Sequence, residues 1–213
     1  MDKSNHSPDK IVVAGICGSL RSASYTRLAL KIALQGAREM GAETRLIDLR
    51  DYSLVFCDGK EAGEVYPGDV SKLQQDIQQA RGIILGTPEY HGSYSGVLKN
   101  ALDLMGFAEF EGKMIGLLGV AGGQMGAANA LNHLRAIGRS LHAWVIPEQV
   151  SISEAWKQFD DAGNPKEDAI ARRLKTVGRQ VARFAYLHTS DQAQEFLRAW
   201  EEALVNPGGG SGA

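Results

Sequence analysis

The sequence predicts a doubly wound α/β fold, in which a parallel sheet carries helices on both faces. Two observations support this prediction: short apolar runs alternate with helical patterns along the chain, and most of these runs are continuously apolar. Continuous apolar runs are typical of strands that are buried on both faces, as in a parallel sheet. Strands separated by helices are joined by right-handed crossovers, which place the helices on the two faces of that sheet.

Five segments are predicted as strands. The first is rich in β-branched residues and ends in a loop of glycine and hydroxyl residues, whereas the second is the least apolar. They are Ile11–Ile16, Thr44–Leu49, Gly82–Thr87, Met114–Val120 and His142–Pro147. Five strands favour the flavodoxin-like order 2-1-3-4-5 in a three-layer sandwich. In that order a ligand binds at the carboxyl ends of the strands, near the switch point between strands 1 and 3.

Helical patterns separate and follow these strands, with apolar residues recurring at a spacing of three to four. The last helical region is expected to break near Thr189–Asp191, where Ser190 or Asp191 can cap a second segment. The predicted helices are Thr26–Met40, Asp69–Ala80, Ser95–Met105, Gly126–Leu141 and a region from about Lys166 to Val205.

The bulk properties indicate a single cytoplasmic domain. A chain of 213 residues is long enough for one substantial core, which we place at residues 10–205, with residues 1–9 and 206–213 as disordered tails that have no apolar content to bury. A net charge of −2 without basic clusters argues against nucleic acid as a partner, and no apolar run is long enough to span a bilayer. The first nine residues lack the apolar segment of a secretion signal, two cysteines are too few for a disulfide framework, and no metal site is predicted.

The loop after the first strand predicts a phosphate site. It runs from Gly18 to Thr26 and contains the hydroxyls of Ser19, Ser24 and Thr26 together with Arg21. Hydroxyl groups and free backbone N–H groups at a helix start bind anions, and an arginine adds charge-assisted hydrogen bonds. The alternative is structural, with Ser24 acting only as the helix cap and Arg21 in solvent.

Cys17 precedes this loop and is predicted to be a small buried residue. Cysteine phosphatases also place a thiolate in a phosphate loop after a first strand, but their loop has the spacing Cys-x5-Arg. The spacing from Cys17 to Arg21 is Cys-x3-Arg, which is two residues too short to wrap a phosphate. We therefore expect no cysteine nucleophile here.

Two further loops follow the third and fourth strands and are expected at the same edge of the sheet. The segment Pro88–Gly96 interleaves Tyr90 and Tyr94 with glycine and serine, which suits a planar ring with a polar edge. Its Ser95 can cap the next helix, and Glu89 is expected in solvent or in an intersubunit salt bridge. After the fourth strand, Gly122-Gly123 allows the backbone to approach a ligand closely, because no Cβ intervenes.

These segments together resemble the NADPH-dependent FMN reductase family of flavodoxin-like proteins, which includes chromate, azo-dye and quinone reductases. The resemblance is carried by Gly18–Ser24, Pro88–Tyr90, Gly96–Asp103 and Gly122-Gly123. It implies bound FMN, NADPH or NADH as hydride donor, no catalytic side chain beyond the flavin, and a homodimer or homotetramer. The cofactor-binding residues that it implies are Ser19, Arg21, Ser24, Tyr25, Thr26, Pro88, Glu89, Tyr90, His91, Gly92, Gly122 and Gly123.

The resemblance implies an enzyme that passes hydride from the nicotinamide to flavin N5, and then reduces a quinone-like, metal-ion or free-flavin acceptor in a ping-pong cycle. Two departures from the family pattern leave alternatives. Thr26 stands where the family more often has asparagine, and the segment His91–Gly96 lacks the proline that many members have immediately before the glycine. The second departure resembles reductases that release reduced flavin to a partner monooxygenase. A flavodoxin-type electron carrier is a further alternative, although a net charge of −2 disfavours it, and so is a flavin-free sensing or assembly protein.

Overall fold

Parallel strands form the centre of the fold in the computed structural model, which describes residues 11–60 and 64–202. The parallel strands are β1 (Val12–Cys17), β2 (Glu43–Asp48), β3 (Gly82–Tyr90), β5 (Met114–Val120) and β6 (Trp144–Ile152). Their order is β2-β1-β3-β5-β6, which is the predicted order 2-1-3-4-5 of the five parallel strands. The sequence did not predict β4 (Ser93–Tyr94), which pairs antiparallel with the end of β3. The predicted tails, residues 1–9 and 206–213, lie outside the described residues.

Helices cover both faces of the sheet and complete the predicted three layers. The helices are α1 (Tyr25–Glu39), α2 (Val70–Gln78), α3 (Gly96–Asp103), α4 (Phe107–Phe110), α5 (Ala128–Ser140), α6 (Ala155–Gln158), α7 (Asp168–Thr189) and α8 (Asp191–Glu201). On one face, α1 and α7 enclose a core that includes Val13, Ile84 and Leu118; on the other, α2, α3 and α5 enclose a core that includes Ile83 and Leu85. Neighbouring residues of one strand thus enter different cores, as expected for strands buried on both faces.

The predicted break in the last helical region is confirmed at Ser190. This residue ends α7 and begins α8, and its Oγ accepts a hydrogen bond from the backbone N–H of Ala193 at 3.3 Å. The short helices α4 and α6 and a 3-10 turn at Leu49–Asp51 were not predicted. Each spans only three or four residues, so that none shows a helical repeat. Across the described ranges, no helix combines the length and the apolar character that a membrane span requires.

The fifth predicted strand, His142–Pro147, begins two residues before the observed strand β6 does and ends five residues before it does, at Pro147. The observed strand continues to Ile152. It tolerates the proline because it is an edge strand and its pairing with β5 is irregular, with a register shift between Ile115 and Leu117. Arg135 donates hydrogen bonds to the carbonyl oxygens of Ile146 and Pro147 at 3.0 and 2.8 Å, which satisfies backbone groups at the irregularity.

Candidate active site

The predicted loops meet around one cavity of about 330 Å³ at the carboxyl ends of β1, β3 and β5. Ser19, Tyr90 and Gly122, which lie far apart in the chain, all line it. The structure therefore brings together one side chain or backbone segment from each of the three predicted loops. The full lining is Ser19, Arg21, Ala23, Ser24, Tyr25, Thr26, Pro88, Glu89, Tyr90, Val120, Ala121, Gly122, Ala155 and Trp156.

The first loop places hydroxyl groups and the start of a helix at the cavity. Ser24 is the N-cap of α1, and its Oγ accepts a hydrogen bond from the backbone N–H of Arg27 at 3.2 Å. Ser24 therefore caps the helix, as the alternative to a phosphate site predicts, but it also lines the cavity. Because α1 begins at Tyr25, its first amide groups and the positive end of its dipole lie at this wall, where an anion is stabilised.

Asp48, at the end of β2, fastens this loop through Arg27. The Asp48 side chain is 7% exposed and accepts hydrogen bonds from Arg27 Nε at 2.6 Å and from Arg50 Nη2 at 2.7 Å. Burial alone would raise the pKa of Asp48, but the hydrogen bonds from Arg50 and Arg27 outweigh it and lower the pKa to about 2. Neither Arg27 nor Asp48 was among the predicted site residues.

The lowered pKa of Asp48 predicts a loss of stability in acid. An ordinary aspartate in the unfolded chain has a pKa of about 3.9, so the ionised side chain contributes about 2 kcal/mol above that pH. We expect this contribution to disappear as the pH falls from about 4 towards 2, through the pKa of the folded protein. In urea unfolding, the stability difference between wild type and Asp48→Asn should be present at pH 6 and shrink towards pH 2. A difference that does not change with pH would contradict this assignment.

The second loop is a hairpin that extends β3 beyond its predicted end at Thr87. Residues His91 and Gly92 both have positive φ, at 51° and 78°, as a two-residue turn between paired antiparallel strands requires. Pro88, Glu89 and Tyr90 line the cavity, with Tyr90 47% exposed. His91 and Gly92, at the tip of the turn, are not part of the lining.

Two side chains of this segment hold the neighbouring elements in place. The predicted cap Ser95 is confirmed: its Oγ accepts from the backbone N–H of Leu98 at 3.2 Å and donates to the carbonyl of Gly18 at 2.6 Å, which ties the second loop to the first. Glu89 Oε2 accepts from the backbone N–H of Ala130 at 3.0 Å, in the first turn of α5. Glu89 therefore caps α5, a role that the sequence did not predict.

The third loop contributes backbone rather than side chains. Gly122 lines the cavity, and a Cβ built on it would meet no atom within 4 Å among the described residues beyond its chain neighbours. Gly123 has the same free space but is not part of the lining. Its carbonyl accepts a hydrogen bond from the backbone N–H of Glu154 at 3.1 Å, and the carbonyl of Ala121 accepts one from Ala155 at 3.0 Å. These bonds fasten the third loop to the segment that follows β6.

The segment that follows β6 supplies Ala155 and Trp156, which were not among the predicted site residues. Trp156 is 58% exposed and lies at the cavity in the short helix α6. The topology could have indicated this segment, since a loop after a fifth parallel strand lies at the same edge of the sheet as the others. The predicted strand ends at Pro147, well before this segment, and therefore gives no indication of it.

The charged groups at the cavity favour anion binding over nucleophilic chemistry. Arg21 is an exposed cation at the first loop, whereas the Glu89 carboxylate is engaged with the start of α5. Cys17 is buried, as predicted, and burial raises the pKa of its thiol. Its Sγ donates to the carbonyl of Ser19 at 3.8 Å beneath the loop. The site therefore offers hydroxyls, helix amides and a guanidinium at one end, and aromatic rings and open backbone at the other.

Comparison with known proteins gives consistent matches. The sequence model of the family described as NADPH-dependent FMN reductase matches residues 11–157. An NAD(P)H-dependent FMN reductase from Pseudomonas aeruginosa is 37% identical over 171 residues, covering 78% of this chain and 90% of the relative. An NADPH azoreductase from a Bacillus species is 38% identical over 169 residues, covering 79% and 90%.

The fold is also similar to solved structures. A flavoenzyme NAD(P)H:(acceptor) oxidoreductase from Paracoccus denitrificans superposes with a TM-score of 0.67 at 24% identity, covering 84% of this chain and 98% of that chain. At this level of identity the likeness supports the architecture alone.

Proposed function

This chain belongs to the NADPH-dependent FMN reductase family, and we propose that it holds FMN in the three-loop cavity and uses it to pass electrons from a nicotinamide cofactor to a small-molecule acceptor. Membership confirms the family resemblance predicted from the sequence, and with it an FMN-dependent NAD(P)H oxidoreductase. The observation that carries the placement of FMN is the convergence of Ser19, Tyr90 and Gly122 on one cavity.

The residues at the cavity fit FMN chemically. A phosphate needs several hydrogen-bond donors and positive potential, which Ser19, Arg21, Ser24, Thr26 and the start of α1 supply. A flat tricyclic ring needs apolar surface and close backbone, which are offered by the wall formed by Tyr25, Pro88, Glu89, Tyr90 and Gly122. The free space at Gly122 is of the kind that a ring edge would fill. His91, Gly92 and Gly123 are not part of the lining, but they lie within two residues of Tyr90 or Gly122 in the chain, and we keep them as proposed contacts of FMN.

When bound, FMN would supply the redox chemistry, the transfer of electrons from NAD(P)H to a second substrate. The chain's own residues bind and orient. The first loop anchors the phosphate, and the hairpin and the Gly122 backbone position the ring. The partial exposure of Tyr90 and Trp156 indicates that the cavity mouth is open to a second planar molecule. No side-chain nucleophile is required in this scheme.

The proposed acceptors are quinone-like compounds, metal ions or free flavin. The azoreductase relative reduces azo compounds, as its name states. We propose that this chain accepts an aromatic acceptor, because the rings of Tyr90 and Trp156 lie at the cavity and can stack against one. Release of reduced flavin to a monooxygenase and electron carriage without turnover are the competing outcomes, and they are distinguished by the following experiment.

The proposed function is tested by mixing the FMN-loaded protein with NADPH or NADH under anaerobic conditions. We expect rapid loss of the visible absorbance of the flavin, followed by reoxidation when a quinone is added. Free FMN at the same concentration, without protein, is the control. Flavin that stays oxidised until a separate reductase is added would indicate a carrier and contradict the proposal. Reduced flavin that passes an ultrafiltration membrane would indicate release to a partner.

We propose a homodimer or homotetramer that acts in the cytoplasm and has no nucleic-acid partner. An apolar groove of about 450 Å³ lies beside the cavity and shares Tyr90 with it, and its lining includes the exposed side chains of Leu20 and Phe56. Such a surface supports association between copies. Both cysteines, Cys17 and Cys57, are free thiols, which supports a reducing compartment. Light scattering after size exclusion should give the mass of two or four chains.

Replacing Arg21 by alanine should weaken FMN binding about tenfold, because one exposed charge-assisted contact to the phosphate is lost. The melting temperature of the flavin-free protein should not change, since Arg21 is at the surface. Titration with FMN measures the effect, and Arg198→Ala on α8 is the control for removing an exposed arginine elsewhere. Unchanged affinity in Arg21→Ala would show that this guanidinium does not contact the phosphate.

A further inference from the structure

The guanidinium of Arg27 is buried behind the first loop and uses every one of its donors. Arg27 is 8% exposed and does not line the cavity. A guanidinium has five N–H groups in a fixed planar fork. Arg27 donates five hydrogen bonds, and two of them go to the carboxylate of Asp48, from Nε at 2.6 Å and from Nη2 at 3.4 Å.

The remaining three bonds go to backbone carbonyls of the first loop. Nη1 donates to the carbonyl oxygens of Arg21 and Ser22, both at 3.1 Å, and Nη2 donates to that of Ser19 at 3.3 Å. Three carbonyl dipoles of one short loop therefore point at a single group outside the cavity. Ser19 and Arg21 line the cavity, whereas Arg27, to which their carbonyls are bonded, is not part of the lining.

This arrangement matters for an anion because a carbonyl oxygen repels it, whereas an N–H group attracts it. Carbonyls held by Arg27 cannot turn towards a bound phosphate. The positive charge of Arg27 is itself balanced by the Asp48 carboxylate, so its contribution to anion binding is orientation of the loop more than direct attraction. Arg50 also donates to this carboxylate, with Nη2 at 2.7 Å from Oδ2.

We propose that Arg27 is a positioning residue for phosphate recognition, which orients the first loop by binding the carbonyls of Ser19, Arg21 and Ser22 from behind. The inference rests on the proposed FMN site and adds to it the group that organises its phosphate end. A lysine cannot replace Arg27, because one ammonium has three donors at a single point and cannot reach Asp48 and three separate carbonyls in the geometry of a planar fork.

The test compares FMN with riboflavin, which lacks the phosphate, in the full-length flavin-free protein. For Arg27→Lys we expect the preference for FMN over riboflavin to fall about tenfold, the size of one charge-assisted hydrogen bond, with riboflavin affinity nearly unchanged. Arg50→Lys is the matched control: it changes an arginine on the same Asp48 carboxylate that has no bond to the first loop. Its preference for FMN should equal that of wild type.

A role for Arg27 in stability alone would lower the melting temperature and weaken both flavins equally, and an unchanged preference in Arg27→Lys would overturn the proposal. Should that variant not fold, Asp48→Asn decides, because it keeps all donors of Arg27 but loosens their anchor. We expect a smaller fall in the preference for FMN, and an unchanged preference would again overturn the proposal. A wild-type protein that binds FMN no better than riboflavin would contradict the proposed phosphate site itself. Failure of the phosphate site is thus distinguished from failure of the role proposed for Arg27, which the variants test.

Discussion

Replacing Gly122 by valine should lower the affinity for FMN about a hundredfold, equivalent to about 3 kcal/mol, while the fold stays intact. Gly122 lines the cavity where the ring is proposed to lie. A side chain there would occupy the space of the ligand and would clash with it. We expect the protein to accept the change, because Gly122 lies at the cavity and a Cβ there meets no atom of the described residues within 4 Å.

Titration of the flavin-free variant with FMN measures this effect, and its melting temperature checks the fold. Gly106→Val is a suitable control, because Gly106 at the start of α4 has the same free space and lies outside the cavity lining. The control should bind FMN as the wild type does. Full affinity in Gly122→Val would mean that the flavin does not approach the third loop.

Replacing Gly178 by alanine should destabilise the protein by about 3 kcal/mol, through overpacking where α1 crosses α7. A Cβ on Gly178 would collide with the carbonyl oxygen of Ala33 and lie 2.9 Å from the backbone nitrogen of Ala37. Gly36 on α1 meets the backbone of Lys175 in the same way. Alanine favours a helix over glycine by up to about 1 kcal/mol, so the clash outweighs the gain in propensity.

Urea unfolding of Gly178→Ala measures this loss, with Gly96→Ala as control. Gly96 opens α3, and a Cβ there meets nothing within 4 Å, so that variant should be as stable as the wild type or slightly more stable. A stability of Gly178→Ala equal to that of wild type would show that the two helix backbones are not in direct contact.

The architecture was predictable because its signals are local and repeat along the chain. Met114–Val120 was predicted with its observed bounds, and Ser190 was predicted as a cap from its place between two helical patterns. The convergence of the three loops followed from topology, since the carboxyl ends of parallel strands share one edge.

Other features were not predictable because they depend on contacts between distant residues. Arg27 and Asp48 are 21 positions apart, and in the sequence they are an ordinary helix arginine and an ordinary strand-end aspartate. The strand β3 continues to Tyr90, beyond its predicted end at Thr87. Pro88 has no N–H group, but it breaks no hydrogen bond to β1, because the pairing of β3 with β1 already ends at Gly86.

The decisive experiment for the FMN site is a crystal structure of the protein with FMN bound. We expect the phosphate on the first loop, among Ser19, Arg21, Ser24 and the start of α1, and the ring between Tyr90 and Gly122. Flavin bound elsewhere on the molecule, or a phosphate turned away from that loop, would disprove the proposed site.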